Sequence, residues 1–193
     1  MNDPAHALAV IAAWRPETIC ADLALTETAR ACLAEAASAP AWLAALLRAG
    51  CHRDAVSFLA HALPRPQAVH WACDCVEAGG IASASTAAEG AVAAARAWAR
   101  EPGEGHRQGA AAAADAVVGE QEGGARFAAF AAAWSGESLA PAGQPVVAPA
   151  KGLGAAAVAA AVLLAATTGP AGAMRERLDD FIGRGVLCAG GHS

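Results

Sequence analysis

The chain has 193 residues, which suits one domain with its own core, and 60 of these residues are alanine. Alanine is the strongest helix former, β-branched residues are few and tyrosine is absent, so the composition excludes a β-sandwich, a barrel or a large parallel sheet. The net charge is −5 and the basic residues are scattered singly, which argues against nucleic acid and anionic membranes as partners.

Helix starts and stops divide the first part of the chain into short helices. Pro16 suits a first helical turn, and Thr26 can cap the helix that follows. Ser38 and Pro40 can open a third helix, which Gly50 closes. That helix carries an apolar stripe formed by Trp42, Leu43, Leu46 and Leu47.

A helix pair joined by a proline turn follows. One helix is predicted over 52–63, and Pro64 stops it. The next helix runs from Pro66 to Val76 and is apolar on most of its surface, which is typical of a central helix. The pair resembles a HEAT-type unit, although successive pairs are spaced too irregularly for a true repeat array.

Caps and breakers predict three more helices. Thr86 with Glu89 forms a capping box for a helix that stops before Pro102. An Ala-rich helix is expected over 105–120, with a break at 123–124. The strongest apolar stripe of the chain then consists of Phe127, Phe130, Ala131 and Trp134. We interpret this stripe as core, and docking of a partner helix is the alternative.

Prolines recur every four residues between Gly136 and Gly152, at Pro141, Pro145 and Pro149. This spacing predicts an extended, polyproline-like connection that either wraps the body or tethers the last two helices.

Two further helices are predicted after this connection. The uncharged run over 152–169 is mostly alanine without aromatic or basic flanks, and we expect a buried helix there rather than a membrane span. In the last helix, Asp179 and Asp180 lie on the outer face. Its expected inward residues are Met174, Leu178, Phe181, Ile182 and Val186.

These elements predict an all-α protein of nine or ten helices, an irregular multi-helix bundle with HEAT-like antiparallel helix pairs. We divide the chain into a helical core over 1–136, a Pro-rich connection over 137–152 and a C-terminal helical hairpin over 153–193 that packs on the core.

The reactive side chains indicate a structural role. We interpret the six cysteines as buried reduced thiols of a cytoplasmic protein, because disulfide frameworks belong to small secreted chains and Asp3 replaces the basic start of a signal peptide. The paired Cys/His spacings of a metal site are missing, so we expect no metal and no cofactor.

His70 and Asp74 can hydrogen-bond across one helical turn, which serves either acid–base chemistry or simple burial of an imidazole. We favour burial and expect no catalytic residue.

Four strings carry a family resemblance: ETICADLALTETARACLAE, DAVSFLAHALPRPQAVHWACDCV, FAAFAAAWSGESLAP and AAVAAAVLLAATTGPAGAMRERLDDFIGRGV. Together they resemble a bacterial all-helical family of unknown function whose genes lie among type VI secretion genes. The resemblance covers the chain from Pro16 to Val186, with its patterns concentrated in Leu63–Cys75 and Trp134–Pro141.

The resemblance implies a non-enzymatic protein-interaction module, an accessory adaptor or chaperone that loads an effector or spike protein. Its partner would be an effector, spike or PAAR-tip protein. We expect no nucleic-acid partner and no membrane-spanning helix in this chain. The candidate partner-binding residues are Pro141, Pro145, Pro149, Asp179 and Asp180. Two alternatives stay open: an immunity protein that blocks a cognate toxin, and an uncharacterised enzyme or small-ligand binder that uses His70 and Asp74.

Overall fold

The computed structural model describes residues 4–21, 23–140 and 144–190, and these ranges contain helices and no strand. The eleven α-helices in them are α1 (Pro4–Ala12), α2 (Pro16–Ile19), α3 (Glu27–Glu35), α4 (Ala39–Arg48), α5 (His52–Ala62), α6 (Arg65–Ala78), α7 (Thr86–Arg100), α8 (Glu104–Ala116), α9 (Gly123–Ala133), α10 (Leu153–Ala166) and α11 (Met174–Cys188). The all-α prediction is confirmed, and α1 is a helix that the sequence reading did not include.

Local capping signals in the first half of the chain act as expected. The Thr26 side chain accepts a hydrogen bond from the backbone N–H of Ala29, which begins α3. Ser38 accepts in the same way from Ala41 at the start of α4. Gly50 follows α4 with φ of 75°, a backbone conformation that side chains disfavour.

The centre of the fold is α9, which packs against α6, α7, α8 and α10. Its fully buried face is made of small residues that allow close helix approach: Ala125, Ala128, Ala129, Ala131 and Ala132. Gly124 belongs to this face, because a Cβ there would lie 2.8 Å from Cδ1 of Ile81. The predicted break at 123–124 is therefore wrong: these glycines begin α9 and let it approach its neighbours.

The aromatic stripe of α9 lies at the edge of the core rather than in its centre. Phe127, Phe130 and Trp134 are half-buried and pack against the core from outside. The Phe130 and Trp134 rings stack with centroids 4.6 Å apart. The stripe contributes to the core as predicted, but alanines occupy the fully buried side of the helix.

The prediction that α6 is a central helix is confirmed. Trp71 is fully buried, and its Nε1 donates to the backbone oxygen of Phe181 in α11 at 2.7 Å. At Gly185 of α11, a Cβ would lie 2.8 Å from Cε2 of Trp71, so the absence of a side chain there makes room for the indole ring.

Three helix-end expectations are corrected. Ser85 rather than Thr86 caps α7, because the Ser85 side chain accepts from the N–H of Ala88. The helix expected over 105–120 ends earlier, at Ala116, after which the backbone is extended. Met174, expected inward, is 37% exposed because it is the first residue of α11, one turn before the first buried side chain of that helix.

The apolar helix α10 packs against α5, α6 and α9, as expected for a buried helix. Within the described ranges, no helix is long and apolar enough to cross a membrane. The division of the chain at 136 and 152 stays a prediction.

Candidate functional site

The connection between α9 and α10 folds back on itself. The Leu139 N–H donates to the Val147 backbone oxygen at 2.8 Å. The Ser138 hydroxyl accepts from the N–H groups of Ala140 and Val147 at 3.0 and 3.1 Å. We call residues 144–149 the arm: they form neither a helix nor a strand, and Val146 and Val147 are 75% and 54% exposed. The extended, polyproline-like conformation of the connection stays a prediction.

A buried arginine ties the connection to the body. Arg107 of α8 is only 4% exposed, and its guanidinium donates to the backbone oxygens of Ala133 and Ala140 at 3.2 and 3.3 Å. Glu104 accepts two further hydrogen bonds from it, at 2.6 and 2.7 Å. A buried charge requires such partners, and here they link α8, the end of α9 and the start of the connection.

The electrostatics of this pair follow from its geometry. The hydrogen bonds from Arg107 and Gln108 lower the pKa of the Glu104 carboxyl from 4.5 to about 2. The same bond to Glu104 raises the pKa of Arg107 above its ordinary value. Gly136 completes the arrangement, because a Cβ at that position would collide with the Arg107 side chain.

A second arginine contacts the turn that follows α9. Arg65, the first residue of α6, donates from Nη1 to the Ser135 backbone oxygen at 2.7 Å. The Ser135 hydroxyl donates to the Ala131 oxygen at 2.6 Å. Cationic side chains near a helix C-terminus also interact favourably with the negative end of the helix dipole. Structural contacts thus account for Ser135 and Ser138 in the Trp134–Pro141 string.

Two open clefts of about 510 and 700 Å³ lie beside the arm. They share a wall made of Ala150, Lys151, Gly152 and Leu153, together with Leu23 and His61. We call the two clefts together the basic groove. The first cleft reaches α2, the α5–α6 corner and Trp134, whereas the second runs along α5 and the outer side of α10.

Close packing shapes the shared wall. His61 Nδ1 donates to the Ser57 carbonyl oxygen at 2.8 Å, because a carbonyl oxygen can only accept. The other ring nitrogen, Nε2, lies beside the backbone of Gly152. A Cβ at Gly152 would lie 3.0 Å from that Nε2, and its φ of 78° also favours glycine. Gly152 is the N-cap of α10 and brings no capping side chain.

The groove carries three exposed cationic side chains, on Arg53, Arg65 and Lys151. Asp54 lines it too but is only 5% exposed. Its two carboxylate oxygens accept from the N–H and hydroxyl of Thr26, both at 3.0 Å. Asp54 therefore anchors α3 to α5.

The structure brings His70 and Asp74 together and adds two partners that the sequence reading missed. His70 Nε2 lies 3.5 Å from Asp74, and Arg96 of α7 donates to Asp74 at 2.7 Å and to Glu77 at 2.6 and 2.9 Å. Burial disfavours the charged form of Arg96, but the hydrogen bonds to Glu77 and Asp74 raise its pKa overall. This network links α6 to α7.

The candidate partner-binding residues fall into separate places. Pro145 is exposed in the arm, Pro149 lines the first cleft, and Pro141 lies outside the described residues. On α11, Asp179 lies 3.0 Å from Nε2 of buried His52, and Asp180 accepts from Arg184 at 2.9 Å. Their role in partner binding stays a prediction.

The six cysteines are free thiols; Cys20, Cys73, Cys75 and Cys188 are buried as expected, whereas Cys32 and Cys51 are only half-buried. Burial raises the pKa of Cys20, Cys73 and Cys188 to about 12 each and that of Cys75 further still. Cys73 lies beside the Val92 oxygen on the α7 side, in keeping with a core role. Among the residues that the structure describes, no three His, Cys, Asp or Glu side chains cluster as metal ligands would.

The DUF6931 family, a family of unknown function, matches residues 42–189, which is more than half of the chain. The chain belongs to the DUF6931 family. The matched range contains the arm, both arginine anchors and the helices α5 to α11. No curated protein and no solved structure matches the chain.

Proposed function

We propose that this DUF6931 protein is a non-enzymatic protein-interaction module that binds its partner through the arm. The observation that carries the proposal is the pair of exposed valines in the arm, where the Val147 backbone is bonded to Ser138 and Leu139. Apolar side chains presented on an exposed segment are typical of interaction sites. Because Ser138 and Leu139 bond the Val147 backbone, ordering the arm on binding costs less conformational entropy than ordering a free linker.

The biological setting comes from the family resemblance. We propose that the protein acts in the bacterial cytoplasm as an accessory adaptor or chaperone in type VI secretion, and that it loads an effector, spike or PAAR-tip protein. Deletion of the gene is then expected to lower secretion of one effector while sheath assembly continues. Unchanged secretion would contradict this setting but not the interaction role of the arm.

A tagged pull-down from the native host, read by mass spectrometry, tests the arm. Wild-type protein is expected to recover a spike, PAAR-tip or effector protein in near-equal amount, and the Val146→Asp/Val147→Asp variant is expected to lose it. Val118→Asp is the matched control, because Val118 is 88% exposed but lies between α8 and α9, outside the arm.

Other outcomes separate the alternatives. Recovery of a single toxin would favour the immunity interpretation. If the arm variant and the control recover the same partner equally, the arm is not the binding site. Recovery of the chain alone would bring back catalysis or small-ligand binding at His70 and Asp74.

A further inference from the structure

We infer that the basic groove binds an acidic, apolar peptide segment of the partner protein. This inference rests on the proposed interaction function and specifies the chemistry of the partner. The groove is continuous with the arm, because Pro149 and Ala150 line the first cleft and residues 150–153 form the wall that both clefts share.

Charge is the first argument. The chain carries 18 acidic against 13 basic residues, yet its single lysine and two of its twelve arginines line this groove. Among the residues that the structure describes, the acidic side chain that lines it is Asp54, which is buried and bonded through both oxygens to Thr26. The groove thus presents positive charge on a protein that is negative as a whole, and an acidic segment complements it.

The walls supply the second argument. Half-buried apolar side chains line the groove as well: Ile19, Leu23, Leu153 and Leu163. Small residues, among them Ala60, Gly154 and Ala160, leave space between these side chains for a peptide backbone. A ligand that uses both features carries Leu, Ile or Val side chains together with Asp or Glu.

Size distinguishes such a segment from a small anion. Clefts of about 510 and 700 Å³ in tandem exceed the space that one inorganic anion fills, and an anion would leave the apolar walls uncovered. The positive end of α10, whose N-cap brings no side chain, adds to the field in the groove without defining the ligand.

A peptide selection with the full chain as bait tests this inference. The probe is a phage-displayed library of random peptides of about a dozen residues. We expect the selected peptides to be enriched in Asp and Glu next to Leu, Ile or Val. Their affinity is expected to fall about tenfold for Arg53→Glu/Lys151→Glu and to fall with rising salt. Arg65 is left unchanged because it bonds the Ser135 carbonyl in the turn after α9.

Matched variants sharpen the test. Arg30→Glu/Arg100→Glu makes the same change in net charge at exposed positions outside both clefts and is expected to bind like wild type. Replacing the acidic residues of a selected peptide by Lys is expected to restore binding to the groove variant. Thermal unfolding of both double variants confirms that each is folded.

Contrary results are equally definite. The inference fails if no peptide is selected, if the selected peptides are basic or uncharged, or if they bind the groove variant as well as wild type. Peptides that lose binding to Val146→Asp/Val147→Asp but not to the groove variant would support the arm while overturning the groove. If the selected peptides depend on the groove but the arm variant still recovers the partner in the pull-down, the groove is supported and the arm is not the binding site.

Discussion

Trp71 in α6 and Trp134 after α9 both lie against the core, but their surroundings differ. Trp71 is enclosed, with its N–H bonded to Phe181 and its ring against Gly185 of α11. Trp134 is half-buried, stacks on Phe130 and borders an open cleft. The α6–α11 contact is thus filled by side chains of the chain itself, whereas the end of α9 is held by Arg107 and Arg65 and borders an open cleft.

The largest expected effect breaks the enclosed region. Trp71→Ala removes a fully buried indole and leaves the Phe181 carbonyl without its donor, and we expect a loss of about 3–5 kcal/mol in the free energy of unfolding. Trp134→Ala is expected to cost less, because that ring is already partly in water. Urea unfolding of both variants measures the difference, and equal losses would contradict the contrast between the two regions.

A smaller effect tests how tightly the enclosed region is packed. Gly185→Ala places a methyl group against the Trp71 ring, and we expect a loss of about 1–3 kcal/mol from overpacking. Gly183→Ala in the same helix is the control: nothing lies within 4 Å of its new Cβ, so better helix propensity is expected to stabilise the protein by up to about 1 kcal/mol. Thermal unfolding of the two variants should therefore shift in opposite directions, and matching shifts would refute the tight contact.

The smallest effect concerns the polar anchor of the open region. The pKa of Glu104 is lowered in the folded protein to about 2 from 4.5, so its ion pair with Arg107 stabilises the fold above pH 4.5 and is lost as the pH falls from 4.5 towards 2. Glu104→Gln is expected to flatten this acid part of the stability curve. Denaturant unfolding between pH 5 and about 2.5 measures it, and an unchanged slope would show that the pair does not contribute.

Much of the helical framework could be predicted because its signals are local. Thr26, Ser38 and Gly50 act within one turn of their own helices, and composition alone excluded large sheets. The predictions that failed are those in which a local signal competes with packing. Gly123 and Gly124 resemble a helix break, but close approach to α6 and α10 makes the second of them part of a buried helix face.

Only part of the candidate site could be predicted from the sequence. The prolines predicted an extended connection, but the hydrogen bonds that hold this connection were not predicted. The Glu104–Arg107 spacing of three residues was a signal for the ion pair, whereas nothing local linked Arg107 to the carbonyl of Ala140. The basic groove likewise gathers Arg53, Arg65 and Lys151 from distant positions that look like scattered charges in the sequence.

The sequence by itself determined the fold class, most helix boundaries and the central place of α6, because helix propensity, capping and apolar periodicity act over a few neighbouring residues. Only the tertiary structure decided which surfaces meet. His52 with Asp179 and Arg65 with Ser135 join residues 127 and 70 positions apart. Such contacts depend on how alanine-lined helices settle against one another, and that packing also sets where the body stays open beside the arm.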